Sequence, residues 1–204
     1  MNQKTLQAIS KGETTRATII EAALQQAAAK GLNGLSIGGL AERTGMSKSG
    51  LFGHFGSKES LQQAVLEALV EEFAASVIRP ALRLENGLER IETLYDRSMR
   101  WATSSRHPGS CPFNAISVEL SAQLGPHRDF LFEQQRRWME VIARVAAKCV
   151  AEGSFRGDVD IQLFAFEFQN IVVGFDYASN VIGNPNAETL ARQAFARLLR
   201  DAQP

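Results

Sequence analysis

Residues 36–54 read SIGGLAERTGMSKSGLFGH and hold two N-cap signals, Ser36 and Ser47, each opening a helix of two or three turns. Between them Thr44-Gly45-Met46 predicts a tight turn, in which Gly45 takes the left-handed backbone that a Cβ resists. Leu40, Ala41, Met46 and Leu51 supply the apolar contacts that lock two short helices at a steep angle, the arrangement of a helix-turn-helix. Ser47, Lys48, Ser49, Gly50, Phe52 and His54 are then left on the second helix to face a DNA groove or its phosphates. The same two helices also occur as an ordinary hairpin within a bundle, so the flanking sequence decides between the readings.

Upstream, Ile19, Ile20, Ala23, Leu24, Ala27 and Ala28 recur at three- and four-residue spacing, predicting a helix that follows Thr14 and ends at Gly31. Downstream, Ser57 caps a long helix with Leu61, Val65, Leu69, Phe73 and Val77 on one stripe, expected to stop at Arg79-Pro80. Asn86 with Glu89 opens another helix, 104–112 reads as a loop, and helices are expected from Phe113 to Leu124 and from about Pro126 to Glu152-Gly153. Residues 160–182 are apolar nearly all round and must be covered on more than one side, whereas 187–200 carry a narrow stripe. No stretch alternates with period two, so the fold class is all-α with nine helices.

At fixed spacing the chain carries Ile20 and Ala23, Gly31, Ser36-Ile37, Leu40-Ala41, Gly45-Met46-Ser47-Lys48, Leu51-Phe52, His54-Phe55 and Ser57-Lys58-Glu59 with Leu61. In these residues it resembles the TetR (tetracycline-repressor-like) family of transcriptional regulators, closely over Thr14 to Leu69 and in helix number beyond. The resemblance implies a helix-turn-helix DNA-binding domain at 1–58, a connecting helix at 57–79, and a ligand-binding and dimerisation domain at 59–204. It implies phosphate contacts from Ser36 and Lys58 and base-edge readout from Lys48, Ser49, Gly50 and Gly53. Lys48 is the first candidate, because a lysine at the start of a recognition helix can donate to guanine O6 and N7. The chain departs from the family pattern at Phe52, where tyrosine is usual, so van der Waals contact replaces a hydroxyl–phosphate bond. It departs again at Gly38-Gly39, two helix-interior glycines costing about 1 kcal/mol each, which leaves specificity to 47–54.

The whole chain has 204 residues with 22 basic and 22 acidic side chains, a balance that argues against nucleic acid as partner. Divided at Lys58 it reads differently: residues 1–58 carry seven basic and three acidic groups, a net of +4, and the remainder a net of −4. Hydrophobic residues make up 45 %, enough for a large core, and no apolar run of the ~18 residues that span a membrane occurs. With no apolar leader behind the first charges, a cytoplasmic protein is expected. Cys111 and Cys149 match no disulfide framework and read as buried thiols, with redox sensing the alternative. His54, His107 and His127 form no ligand spacing, so neither metal nor cofactor is expected. No GxSxG, HExxH, P-loop or Rossmann motif occurs, which argues against an enzyme.

Aromatic residues concentrate after position 100, as core or as the wall of a cavity between helices. Trp101, Phe113, Trp138, Phe168 and Phe175 are the candidates for an effector site, which the resemblance also implies. Glu167, Asn170 and Asp176 need polar partners within an apolar helix, from a ligand or, preferably, from helix–helix or dimer contacts. The last two helices suit a four-helix bundle made by two copies. The expected function is therefore a regulator, a repressor in sign, that binds a palindromic double-stranded DNA operator as a homodimer and is released by a small apolar or aromatic effector. A helical carrier of hydrophobic ligands without DNA-binding activity is the alternative, and it has no use for outward Lys48, Lys58 and His54.

Overall fold

The computed structural model describes residues 11–104 and 109–204. The middle of the loop expected at 104–112, with His107, lies outside the described residues. Within them the chain is all-helical: α1 Lys11–Lys30, α2 Ile37–Thr44, α3 Lys48–Phe55, α4 Lys58–Phe73, α5 Gly87–Ala102, α6 Pro112–Ser121, α7 Pro126–Ala151, α8 Ile161–Asp176 and α9 Ala187–Ala202. Helix α4 continues without a break through a π-helical turn, Ala74–Ile78, into a final turn, Arg79–Leu82, and α8 continues into a second π-helical turn, Tyr177–Val181.

The caps form as their residue types dictate. Ser36, Ser47 and Ser57 accept from the backbone N–H groups of Gly39, Gly50 and Ser60, each three residues on. Asn86 Oδ1 takes the N–H groups of Leu88 and Glu89, and Asp160 those of Gln162 and Leu163. Gly45 closes α2 in the left-handed region at φ 67° and donates back to Ala41 and Glu42.

Three boundaries differ from the sequence expectation. Helix α1 is already formed at Lys11, a turn before Thr14. Helix α6 stops at Ser121, and Gln123 N–H turns back to Leu120, which leaves Leu124 outside the helix and 93 % exposed. Pro80 does not end α4. A proline inside an α-helix clashes with the carbonyl four residues back and cannot donate to it. Here the backbone is widened just before it, Arg79 N–H reaching Ala74 O five residues back. The carbonyl four residues back, Ser76 O, accepts Arg97 Nη1 from α5 at 2.8 Å, and an Arg79–Glu71 ion pair at 2.6 Å spans the widened turn.

One continuous core holds the molecule together. Ile19, Leu40, Leu51, Leu61 and Val65 are buried where α1, α2, α3 and the start of α4 meet, with Met46 packed against them. Helices α5, α7, α8 and α9 bury Ile91, Leu94, Ile142, Phe168 and Phe195 among themselves. The Tyr95 and Phe195 rings stack at 3.8 Å, and Phe168 meets both rings edge-on. No helix among the described residues is long and apolar enough to cross a membrane.

Candidate nucleic-acid interface and cavity

Helix α3 buries Leu51 and Phe55 and turns its other side outward. Arg16 of α1 lies over the Phe55 ring at 5.1 Å, which fixes the inner face of α3 against α1. Ser47, Lys48, Ser49, Phe52 and Gly53 are exposed together at the N-terminal end and outer face of α3, while Gly50 and His54 are half-buried on its flanks. The His54 ring tilts against Phe55, and Ser47 and Ser49 share a hydroxyl hydrogen bond at 3.2 Å. Of the two helix-interior glycines of α2, Gly39 has a steric reason and Gly38 has room for a Cβ. A Cβ at Gly39 stands 2.9 Å from the capping Ser36 Oγ, and one at Gly38 stands 3.5 Å from Lys48 Cε, so the Lys48 stem runs past an opening in α2.

Ser36 is exposed and accepts the α2 cap bond, leaving its O–H free to donate. Lys58 Nζ donates to Asn33 O at 2.9 Å, and Gln62 Nε2 to Leu32 O at 3.0 Å. From the opposite side Glu119 of α6 accepts Leu32 N–H and Asn33 N–H, both at 2.6 Å, one on each carboxylate oxygen. The α1–α2 turn is thus gripped at its carbonyls by α4 and at its amides by α6. Gly31 makes this approach possible: it sits at φ 77°, and a Cβ there would stand 2.5 Å from Glu119 Oε2.

The other ends of α4 and α6 reach a cavity of about 200 Å³ that they form with α5, α7 and α8. Of the aromatic residues singled out in the sequence, Trp101, Phe113 and Trp138 line it. Phe168 and Phe175 are buried off its wall. The side of α8 that faces the cavity carries Gln169, Val172, Val173 and Asp176, and Phe168, one position before Gln169, packs on Tyr95 of α5 and Phe195 of α9. The wall residue that sequence reasoning placed only on a core stripe is Phe73. Its ring meets Trp101 at 5.3 Å, Phe113 at 5.3 Å and Trp138 at 5.1 Å, edge to face each time.

Asp176 is buried at this wall, and its carboxylate accepts Ser110 Oγ, Cys111 N–H, Asn114 Nδ2 and Asn180 Nδ2 at 2.7–2.8 Å. It ties the start of α6 to α8, the helix–helix role anticipated for it, while Glu167 and Asn170 are exposed. Both cysteines are free thiols, and burial pushes each up to about 11, which keeps them protonated at neutral pH.

An exposed, twice-capped helix-turn-helix, joined by two helices to a largely apolar cavity, is the architecture of a one-chain helix-turn-helix protein. Residues 19–65 match the model of the bacterial regulatory proteins of the tetR family, and residues 87–195 that of the tetracyclin repressor-like C-terminal domain. The chain belongs to the TetR family of transcriptional regulators. Over 195 residues it is 24 % identical to the HTH-type transcriptional regulator SrpR of Pseudomonas putida, covering 94 % of this chain and 88 % of that one. A TetR-family regulator of Cytophaga hutchinsonii has the same fold at a TM-score of 0.84 and 22 % identity, covering 97 % of this chain and 98 % of that one. AibR, solved in complex with isovaleryl coenzyme A and operator DNA, superposes at a TM-score of 0.72 and 22 % identity, covering 91 % and 98 %.

Proposed function

We propose that this protein is a repressor that binds a palindromic operator as a homodimer through α3 and releases it when a small apolar or aromatic effector enters the cavity. The carrying observation is the outward face of α3, where Lys48 and Ser49 stand exposed beside Phe52 and Gly53 with none of the described residues packed over them. Residues 1–58 form the reading domain, with Lys48 on base edges and Ser36 and Lys58 on phosphates. Selection of bound sequences from a random DNA pool tests this, and a palindrome is expected. Lys48→Ala is expected to relax preference at one base pair, costing about 1–3 kcal/mol there, whereas Lys58→Ala weakens binding to all sequences and lowers the salt slope by about one. A pool from which the unmodified protein enriches nothing would favour a ligand carrier.

Dimerisation through α8 and α9 is supported by the apolar surface they leave open. Leu163, Phe166, Tyr177, Val181, Ile182 and Leu190 are each more than half exposed, a concentration that monomers rarely tolerate. Two copies joined there make a four-helix bundle and present two α3 helices to DNA with half-sites about 34 to 36 Å apart, or a multiple of it. Phe166→Glu is expected to give a monomer by sedimentation velocity at concentrations where the unmodified chain is dimeric. A dimer unaffected by that charge places the contact elsewhere.

AibR holds an acyl thioester and DNA, so one chain of this fold accommodates both kinds of partner. In this protein the route from effector to DNA is short. Helices α4 and α6 each touch the cavity at one end and the α1–α2 turn at the other, so a ligand that spreads them acts directly on the turn that carries α2 and α3.

A further inference from the structure

The chemistry of the cavity wall narrows the effector, on the reading that this cavity is the effector site. Its volume of about 200 Å³ is below the ~300–1,000 Å³ of drug-sized sites and a little above the ~150 Å³ that admits benzene. That is room for one ring and a few further atoms. The wall already receives a benzene ring edge to face, that of Phe73 among Trp101, Phe113 and Trp138, the geometry in which aromatic quadrupoles attract. Among the described residues two charged side chains, Asp176 and Arg137, line the cavity. Asp176 takes four hydrogen bonds, and the Arg137 guanidinium is paired to Glu133 at 3.1 Å. A cation would find its opposite charge, Asp176, already bonded four times, and the Arg137 head is 63 % exposed toward solvent, so neither offsets the desolvation of an ion held against the rings.

Among the described residues one deeply buried hydroxyl of the wall is unpaired. Ser98 of α5 lines the cavity and is 3 % exposed, and its hydroxyl has no hydrogen-bond partner. A buried hydroxyl left unpaired is costly, and one that meets a partner recovers that cost. We propose that the cavity binds an uncharged monocyclic aromatic bearing one hydroxyl or carbonyl group, whose polar atom bonds Ser98 Oγ while its ring packs against Phe73 and the two tryptophans. Cys111, a neutral thiol on the same wall, adds no charge to this environment.

Trp101 and Trp138 are the two tryptophans of the chain and both line the cavity, so quenching of intrinsic fluorescence reads occupancy in the full-length protein, with calorimetry as a second measure. Para-ethylphenol is expected to bind saturably, ethylbenzene about tenfold more weakly, and benzoate and benzyltrimethylammonium not at all. Ser98→Ala should remove the preference for the phenol and leave ethylbenzene affinity unchanged, the latter also showing that the cavity is intact. Equal affinity for the two neutral rings, tighter binding of either ion, no binding of the phenol, or equal weakening of both rings by Ser98→Ala would overturn the assignment. The selected operator separates the two proposals: a phenol that binds without releasing DNA refutes effector control and leaves the ligand class standing, whereas specific DNA binding with no phenol binding refutes the ligand class alone.

Discussion

Gly53→Glu is expected to lower affinity for the selected operator by about a hundredfold or more while leaving the protein folded. A Cβ at Gly53 meets nothing within 4 Å, and glutamate is a better helix former than glycine by roughly half a kcal/mol. The new carboxylate therefore has no folded-state contact to disturb. On the proposed reading it enters the groove of a polyanion, and like-charge juxtaposition at an interface costs several kcal/mol, where each 1.4 kcal/mol is about tenfold. Gly53→Ala is the paired control: it should raise the thermal midpoint by about 2–4 °C, through roughly 1 kcal/mol of helix propensity, and change affinity far less. Anisotropy with labelled operator and thermal circular dichroism measure both. Operator binding by Gly53→Glu at the unmodified strength would mean that the outer face of α3 does not meet DNA.

Glu119→Ala carries the second large effect, on communication between cavity and DNA. It deletes the acceptor for two backbone N–H groups at 2.6 Å, one of them on fully buried Leu32. An orphaned buried donor costs about 1–3 kcal/mol, so a midpoint lowered by roughly 2–10 °C is expected. The functional readout is the ratio of operator affinities with and without effector, which should collapse toward one while effector affinity itself, set at the far end of α6, is retained. Glu119→Gln keeps a neutral acceptor and should fall between. An undiminished ratio in Glu119→Ala would assign transmission to α4 alone.

The helix-turn-helix was legible because its signals are local. Ser36, Gly45, Ser47 and Ser57 each act on backbone groups within a few residues, so residue type and position suffice. The cavity was legible only as a supply of aromatics. Whether Phe168 or its neighbour Gln169 faces inward depends on the rotation of α8 against α5 and α7, which composition does not encode. Phe73 kept its place on an apolar stripe in the sequence reading, yet it stands where three other rings converge. Glu119 gave no signal of its own, since its partners are the backbone of a distant turn. Pro80 misled as a stop because the remedy, a widened turn and Arg97 on Ser76 O, is supplied from another helix.

The close fit between Gly31 and Glu119 bears on how reading heads can be exchanged among relatives. A graft of α1 to α3 from another regulator carries its own residue to position 31, and any side chain there drives a carbon to 2.5 Å from Glu119 Oε2. Suitable donors are those with glycine at that turn, or hosts in which the acidic residue is shortened at the same time. A chimera that ignores this pairing would still display its recognition helix, but the Glu119 carboxylate would have to swing off the amides of the turn and lose its hold on them.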